Sequence, residues 1–126
     1  MFELTILQTR TEDFSGTLLD SQGEGVAIGE TDALRFKLGR AGATPVLDLN
    51  GTATAAGSVV TVTQRSAPAS YSLRFAQGDT AGIDPGAYDA ELLLVVDTET
   101  APDNAAKLVE CGIVHVLPSL GGSVGL

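Results

Sequence analysis

Three groups of residues are of types that chemistry uses. Cys111 and His115 stand four apart near the end of the sequence, a thiol and an imidazole on one strand face. Four residues of extended backbone hold them about 13 Å apart, beyond hydrogen-bond reach for a nucleophile and its base. A zinc site needs further ligands of nitrogen or sulfur type, and the chain has no other His or Cys. Cys111 therefore reads as a buried small hydrophobe and His115 as a strand-end residue. Asp97, Glu99, Asp103 and Asn104 share the composition of a calcium loop, but no glycine falls at the sharp turn. Leu108 stands where an EF-hand places its bidentate Glu, so the group reads as a solvated acidic hairpin tip. Asp89 and Glu91 share a strand face about 7 Å apart. That spacing is compatible with acid–base work, and any strand with a wet side offers it. No glycine pattern cradles a phosphate, and QGEGVAIG leads into acidic residues that would oppose one. No catalytic, cofactor-binding or metal-binding residue is assigned, and the chain is expected not to be an enzyme.

The elements that carry these groups are strands. Phe2, Leu4 and Ile6 alternate with Glu3 and Thr5, so residues 2 to 8 read as a first strand, followed by a polar stretch, TRTEDFSG. GTLLDSQGEGVAIGETD reads as one or two short edge strands among turns. Leu34, Phe36 and Leu38 then alternate with Ala33, Arg35 and Lys37, and Tyr71, Leu73 and Phe75 with Ser72 and Arg74. Both are patterns of a strand with one wet side. Val46 to Leu49 and Val59 to Val62 read as short strands, with Asn50-Gly51 between them as a hairpin signal. The clearest punctuation is Asp84-Pro85-Gly86, where a fixed φ is followed by a residue free to take positive φ. After it, Tyr88, Ala90, Leu92, Leu94 and Val96 form one apolar face, and Leu93 and Val95 add apolar residues to the other. This strand is expected mid-sheet, paired with a last strand over residues 107 to 117. A short helix from Pro102 competes with a hairpin there and is too short to stand on propensity.

The chain is 126 residues long with net charge −9 and pI near 4.2. That length fits one domain able to bury about two-thirds of its surface. Fifteen Gly and five Pro disfavour long helices. The acidic surface repels phosphate backbones and anionic lipid, so no nucleic-acid or membrane partner is expected. With one cysteine there is no intrachain disulfide. No signal segment is evident, and the protein is expected to be cytoplasmic when synthesised. The expected fold is all-β, an immunoglobulin-like antiparallel β-sandwich of about 7 to 9 short strands. Residues 1–126 would form a single domain, with 1–31 as an N-terminal strand and edge or arm segment and 118–126 as a flexible tail.

Two resemblances refine this. Gly86, Tyr88 and Ala90 resemble the tyrosine corner of immunoglobulin-like sandwiches, with Ala90 in the place of the cysteine. The resemblance implies structural roles for Tyr88, Gly86, Pro85 and Asp79. Over a longer stretch, Asp32 to Val116 resembles the small β-sandwich domains of phage and prophage tail and baseplate proteins, including the N-terminal domain of baseplate upper proteins. The matching residues are Pro45, Val46, Asp48, Leu49 and Gly51, then Asp79, Thr80, Gly86 and Tyr88, then Leu108, Val109, Gly112 and Val114. The likeness implies a structural and assembly protein, possessing no cofactor, whose partners are itself and other virion or tail proteins. A carbohydrate- or protein-binding module built on loops is the alternative. GVAIG and GSVVTV carry no charge at all, so these edges and residues 1–31 are expected to make a homo-oligomer's contacts.

Overall fold

The computed structural model describes residues 2–20, 22–95 and 106–118. Among the described residues, eight strands and one short helix follow in the order β1 (Phe2–Leu7), β2 (Glu12–Thr17), β3 (Ala33–Gly39), β4 (Leu47–Leu49), β5 (Val59–Gln64), β6 (Ser70–Phe75), α1 (Gln77–Thr80), β7 (Gly86–Val95) and β8 (Ala106–Leu117). Alternation decides which side chains go inside. Leu34, Phe36 and Leu38 on β3, Tyr71, Leu73 and Phe75 on β6, and Tyr88, Ala90, Leu92 and Leu94 on β7 are all buried.

The strands form two sheets, β1-β8-β7-β3-β4 and β2-β6-β5. Pairing is antiparallel except between β1 and β8, which run parallel in register from Phe2 against Gly112 to Leu7 against Leu117. This is an all-β sandwich with immunoglobulin-like strand order. β3, β7 and β8 correspond to strands C, F and G with β4 as C′, and β2, β6 and β5 to B, E and D. β7 lies at the middle of the larger sheet, between β8 and β3.

All four phenylalanines of the chain join ring to ring across the core. Phe2 meets Phe36 at 6.1 Å, Phe36 meets Phe75 at 5.6 Å and Phe75 meets Phe14 at 5.8 Å between centroids. The last two contacts are edge-to-face, a geometry that suits the ring quadrupoles. Phe2 reaches Phe36 from the sheet's edge because Gly112 and Ala90, paired on the intervening strands, leave room for its ring. The aliphatic layers around this chain include Ile6, Leu18, Leu38, Leu49, Leu92, Val114 and Val116, all essentially inaccessible.

Several local expectations change. The second strand lies in the polar stretch at residues 12–17, where Phe14 is its only large apolar side chain. Its pairing with β6 is set by Phe14 opposite Leu73 and by Asp13 opposite Arg74, which forms a two-pronged ion pair at 2.8 and 3.2 Å. Asn50-Gly51 closes no hairpin, since β4 and β5 belong to different sheets and the connection crosses the sandwich. GVAIG is no bare edge. Its backbone bonds to Leu18, Arg65 and Ala69. The segment before β7 contains α1, a single turn held from outside: the Ala76 amide donates to Ser58 Oγ, the Gln77 amide to Thr11 Oγ1, and the Thr80 hydroxyl to the Arg10 carbonyl. A helix this short needs such tertiary support. Residues 2–7 and 12–17 therefore supply one strand to each sheet of the monomer. The acidic group Asp97 to Asn104 and the tail after Pro118 lie outside the described residues.

Candidate functional site

The residues singled out around β7 build a corner. Gly86 opens the strand at φ +148°, a value other residues resist, and a Cβ there would sit 3.0 Å from the Arg40 guanidinium. Arg40 lies 4.6 Å above the centre of the Tyr88 ring, a cation–π contact. Tyr88 is 3% exposed, and its hydroxyl donates to the Asp84 carbonyl at 2.6 Å, the bond by which a tyrosine corner ties its strand to the preceding connection. Pro85, between them, is exposed. Asp79 has its side-chain partner elsewhere. It accepts the Thr54 hydroxyl at 2.6 Å, while Thr54 Oγ1 accepts the amides of Gly57 and Ser58. These residues hold α1 and the crossover before β5 to one end of the sandwich. Tyr88, Arg40, Asp79 and Thr54 are each engaged in these contacts.

The outer face of the larger sheet gathers the charged candidates. Asp48, Lys37, Glu91 and Cys111 follow one another across four strands, with Gly39, Asp89 and Ile113 in a neighbouring row. Asp89 and Glu91 are both exposed. They line a hollow of about 540 Å³ walled by Lys37, Arg40, Pro45 and Ile113. Cys111 is exposed on this face, which corrects its assignment to the core: the parity it shares with His115 points outward. His115 Nε2 lies 2.6 Å from Glu3 Oε2, a contact between the parallel strands, so its partner is a carboxylate rather than the thiol. Among the described residues no group of three or more His, Cys, Asp or Glu is placed to hold a metal ion. Among them, too, no helix is long and apolar enough to cross a membrane.

A second opening lies between the sheets, on the side where β1 and β2 are the edge strands. Phe2, Leu4, Phe14, Leu73 and Leu92 line this cleft of about 220 Å³, and Tyr71 and Glu110 bring its polar groups. Gly16 makes room for it, since a Cβ at that position would stand 2.6 Å from the Tyr71 hydroxyl. Burial raises the pKa of Tyr71 above its usual value, and the charge of Glu110 adds to the effect. β2 has a hydrogen-bonded neighbour, β6, on one side only among the described residues. An apolar cleft beside an unpaired ladder is what an extended peptide recognises. Sequence reading missed the cleft because its walls come from β1, β2, β3, β6, β7 and β8, distant along the chain. Gly16 and Gly112, where a side chain would collide with Tyr71 and with Phe2, were the available signals.

The fold and these surfaces define a small immunoglobulin-like sandwich with open edges. No family model matches the chain, and no curated protein is significantly similar to it.

Proposed function

We propose that this chain is a non-enzymatic structural and assembly protein, of the kind its resemblance to phage tail and baseplate domains implies. It acts through protein–protein contacts along its sheet edges, with itself and with other tail or virion proteins. On this reading it is made in the cytoplasm and carried into a particle. One observation supports the reading above others. β5, the outer strand of the smaller sheet, has the sequence VVTVTQ, with no charge and no proline. Soluble monomers usually blunt such an edge with Lys, Pro or a bulge, and the one register shift in β5 comes only at Val62/Gln64. Light scattering and native mass spectrometry on the intact protein test the reading. An oligomer is expected, falling to smaller species when Thr61→Lys places a charge on that edge. A strict monomer at high concentration would sink it.

A second reading, a module that binds a carbohydrate or protein ligand, is favoured by the charged hollow on the larger sheet. It has no tyrosine to serve as a stacking platform, since Tyr71 and Tyr88 are both buried. Saturable glycan or peptide binding by the monomer, lost in Asp89→Asn, would favour it over assembly.

A further inference from the structure

We propose that the cleft beside β2 seats a strand donated by a neighbouring copy of this chain, and that the donated strand is residues 119–126, SLGGSVGL. The inference rests on the assembly reading and adds to it a segment and a seat.

The position comes from the strand order. In immunoglobulin-like sandwiches a first strand, A, lies beside strand B. β2 holds the place of B, while β1 pairs with β8 in the other sheet, so the position beside β2 is unfilled among the described residues. A strand laid there would turn one face into the cleft against Phe2, Phe14, Leu73 and Leu92, and the other to water.

Residues 119–126 have the pattern such a strand requires. Leu120, Gly122, Val124 and Leu126 alternate with Ser119, Gly121, Ser123 and Gly125, and no residue among them is charged. One parity is apolar and fits the cleft. The other is small and polar and fits the solvent side. Its glycines lower its strand propensity, and a partner's ladder and pockets would supply what propensity does not.

Geometry assigns the segment to a neighbour. β8 delivers the chain at Leu117, whose carbonyl accepts the Gln8 amide beyond the far end of β1. Glu110, at the cleft, lies 117 − 110 = 7 residues back along β8, about 24 Å at strand rise. A strand antiparallel to β2, the orientation of A against B, must enter at the Thr17 end, beside Glu110. Eight residues extend to at most about 28 Å. Residues 119–126 of the same chain would be spent in the climb, with none of these eight left to pair. A segment arriving from another copy makes no such climb.

The intact protein and a variant ending at Pro118 would be compared by native mass spectrometry, with circular dichroism to verify folding. The expected result is an oligomeric intact chain and a folded, monomeric 1–118 variant that binds the synthetic peptide SLGGSVGL saturably. Val124→Asp should dissociate the intact oligomer with the fold retained. In a Cys111→Ser background, Ser15→Cys with Ser123→Cys should give disulfide-linked dimers and longer ladders. If the 1–118 variant associates as the intact chain does, the donated strand is wrong and the assembly reading stands. A disulfide closing within single chains would assign the seat to the chain's own segment and overturn the neighbour. A strictly monomeric intact chain would overturn both.

Discussion

Tyr88 and Tyr71 are both buried, and each has a different neighbourhood for its hydroxyl. At Tyr88 the hydroxyl is bonded to the Asp84 carbonyl at 2.6 Å. Tyr88→Phe keeps the ring under Arg40 and removes that bond, which should cost about 0.5 to 1.5 kcal/mol. Urea unfolding would measure the loss, and an unchanged midpoint would show that the corner contributes no stability. Tyr71 stands at the cleft beside Glu110, where burial first and then the carboxylate raise its pKa. Because the folded value is raised, the unfolded chain gives up this proton first. Stability linked to Tyr71 is then fully present below pH 10 and is lost as pH rises through the folded pKa. In a Tyr88→Phe background Tyr71 is the remaining tyrosine, and its phenolate absorbance reads the titration alone. Glu110→Gln should lower that pKa part of the way, leaving the share due to burial. No movement would mean that Glu110 does not act on Tyr71 through its charge.

Among the elements, β1 depends on one glycine. A Cβ at Gly112 would run into the carbonyl and ring of Phe2, so β1 and its phenylalanine sit where they do because β8 has no side chain there. In an ordinary strand, replacing Gly with Ala adds stability by propensity. Here the collision should win, at about 1 to 3 kcal/mol. Thermal unfolding would read the cost, and hydrogen exchange should show β1 amides losing protection ahead of those of β7. A stabilised Gly112→Ala protein would refute the close approach. The elements also divide by how far sequence reveals them. β3, β6 and β7 were legible because each buries every second side chain, so a period of two is written directly in their residues. β2 was not: its polar residues face water or pair with β6, as Asp13 does with Arg74, and only Phe14 marks its inner side. The parallel partnership of β1 with β8 and the crossover after Asn50 are choices among distant strands, which local alternation does not encode. The cleft follows from those choices and was illegible for the same reason, and the outward turn of Cys111 depends on which face of β8 the core takes.

The molecule as a whole carries net charge −9, so copies repel one another until salt screens them. Association measured by mass should therefore strengthen as ionic strength rises, if uncharged edges and an apolar cleft supply the contacts. The parallel pairing of β1 with β8 bears on mechanics. Pulling Phe2 away from Leu117 draws the two strands along each other, and the ladder from Phe2–Gly112 to Leu7–Leu117 is loaded in shear. Its bonds must then yield together, whereas an antiparallel pair pulled apart from one end unzips bond by bond. A load passed between these two points along a line of such domains would be borne by this one ladder, and Gly112, which lets Phe2 lie close, would set its grip.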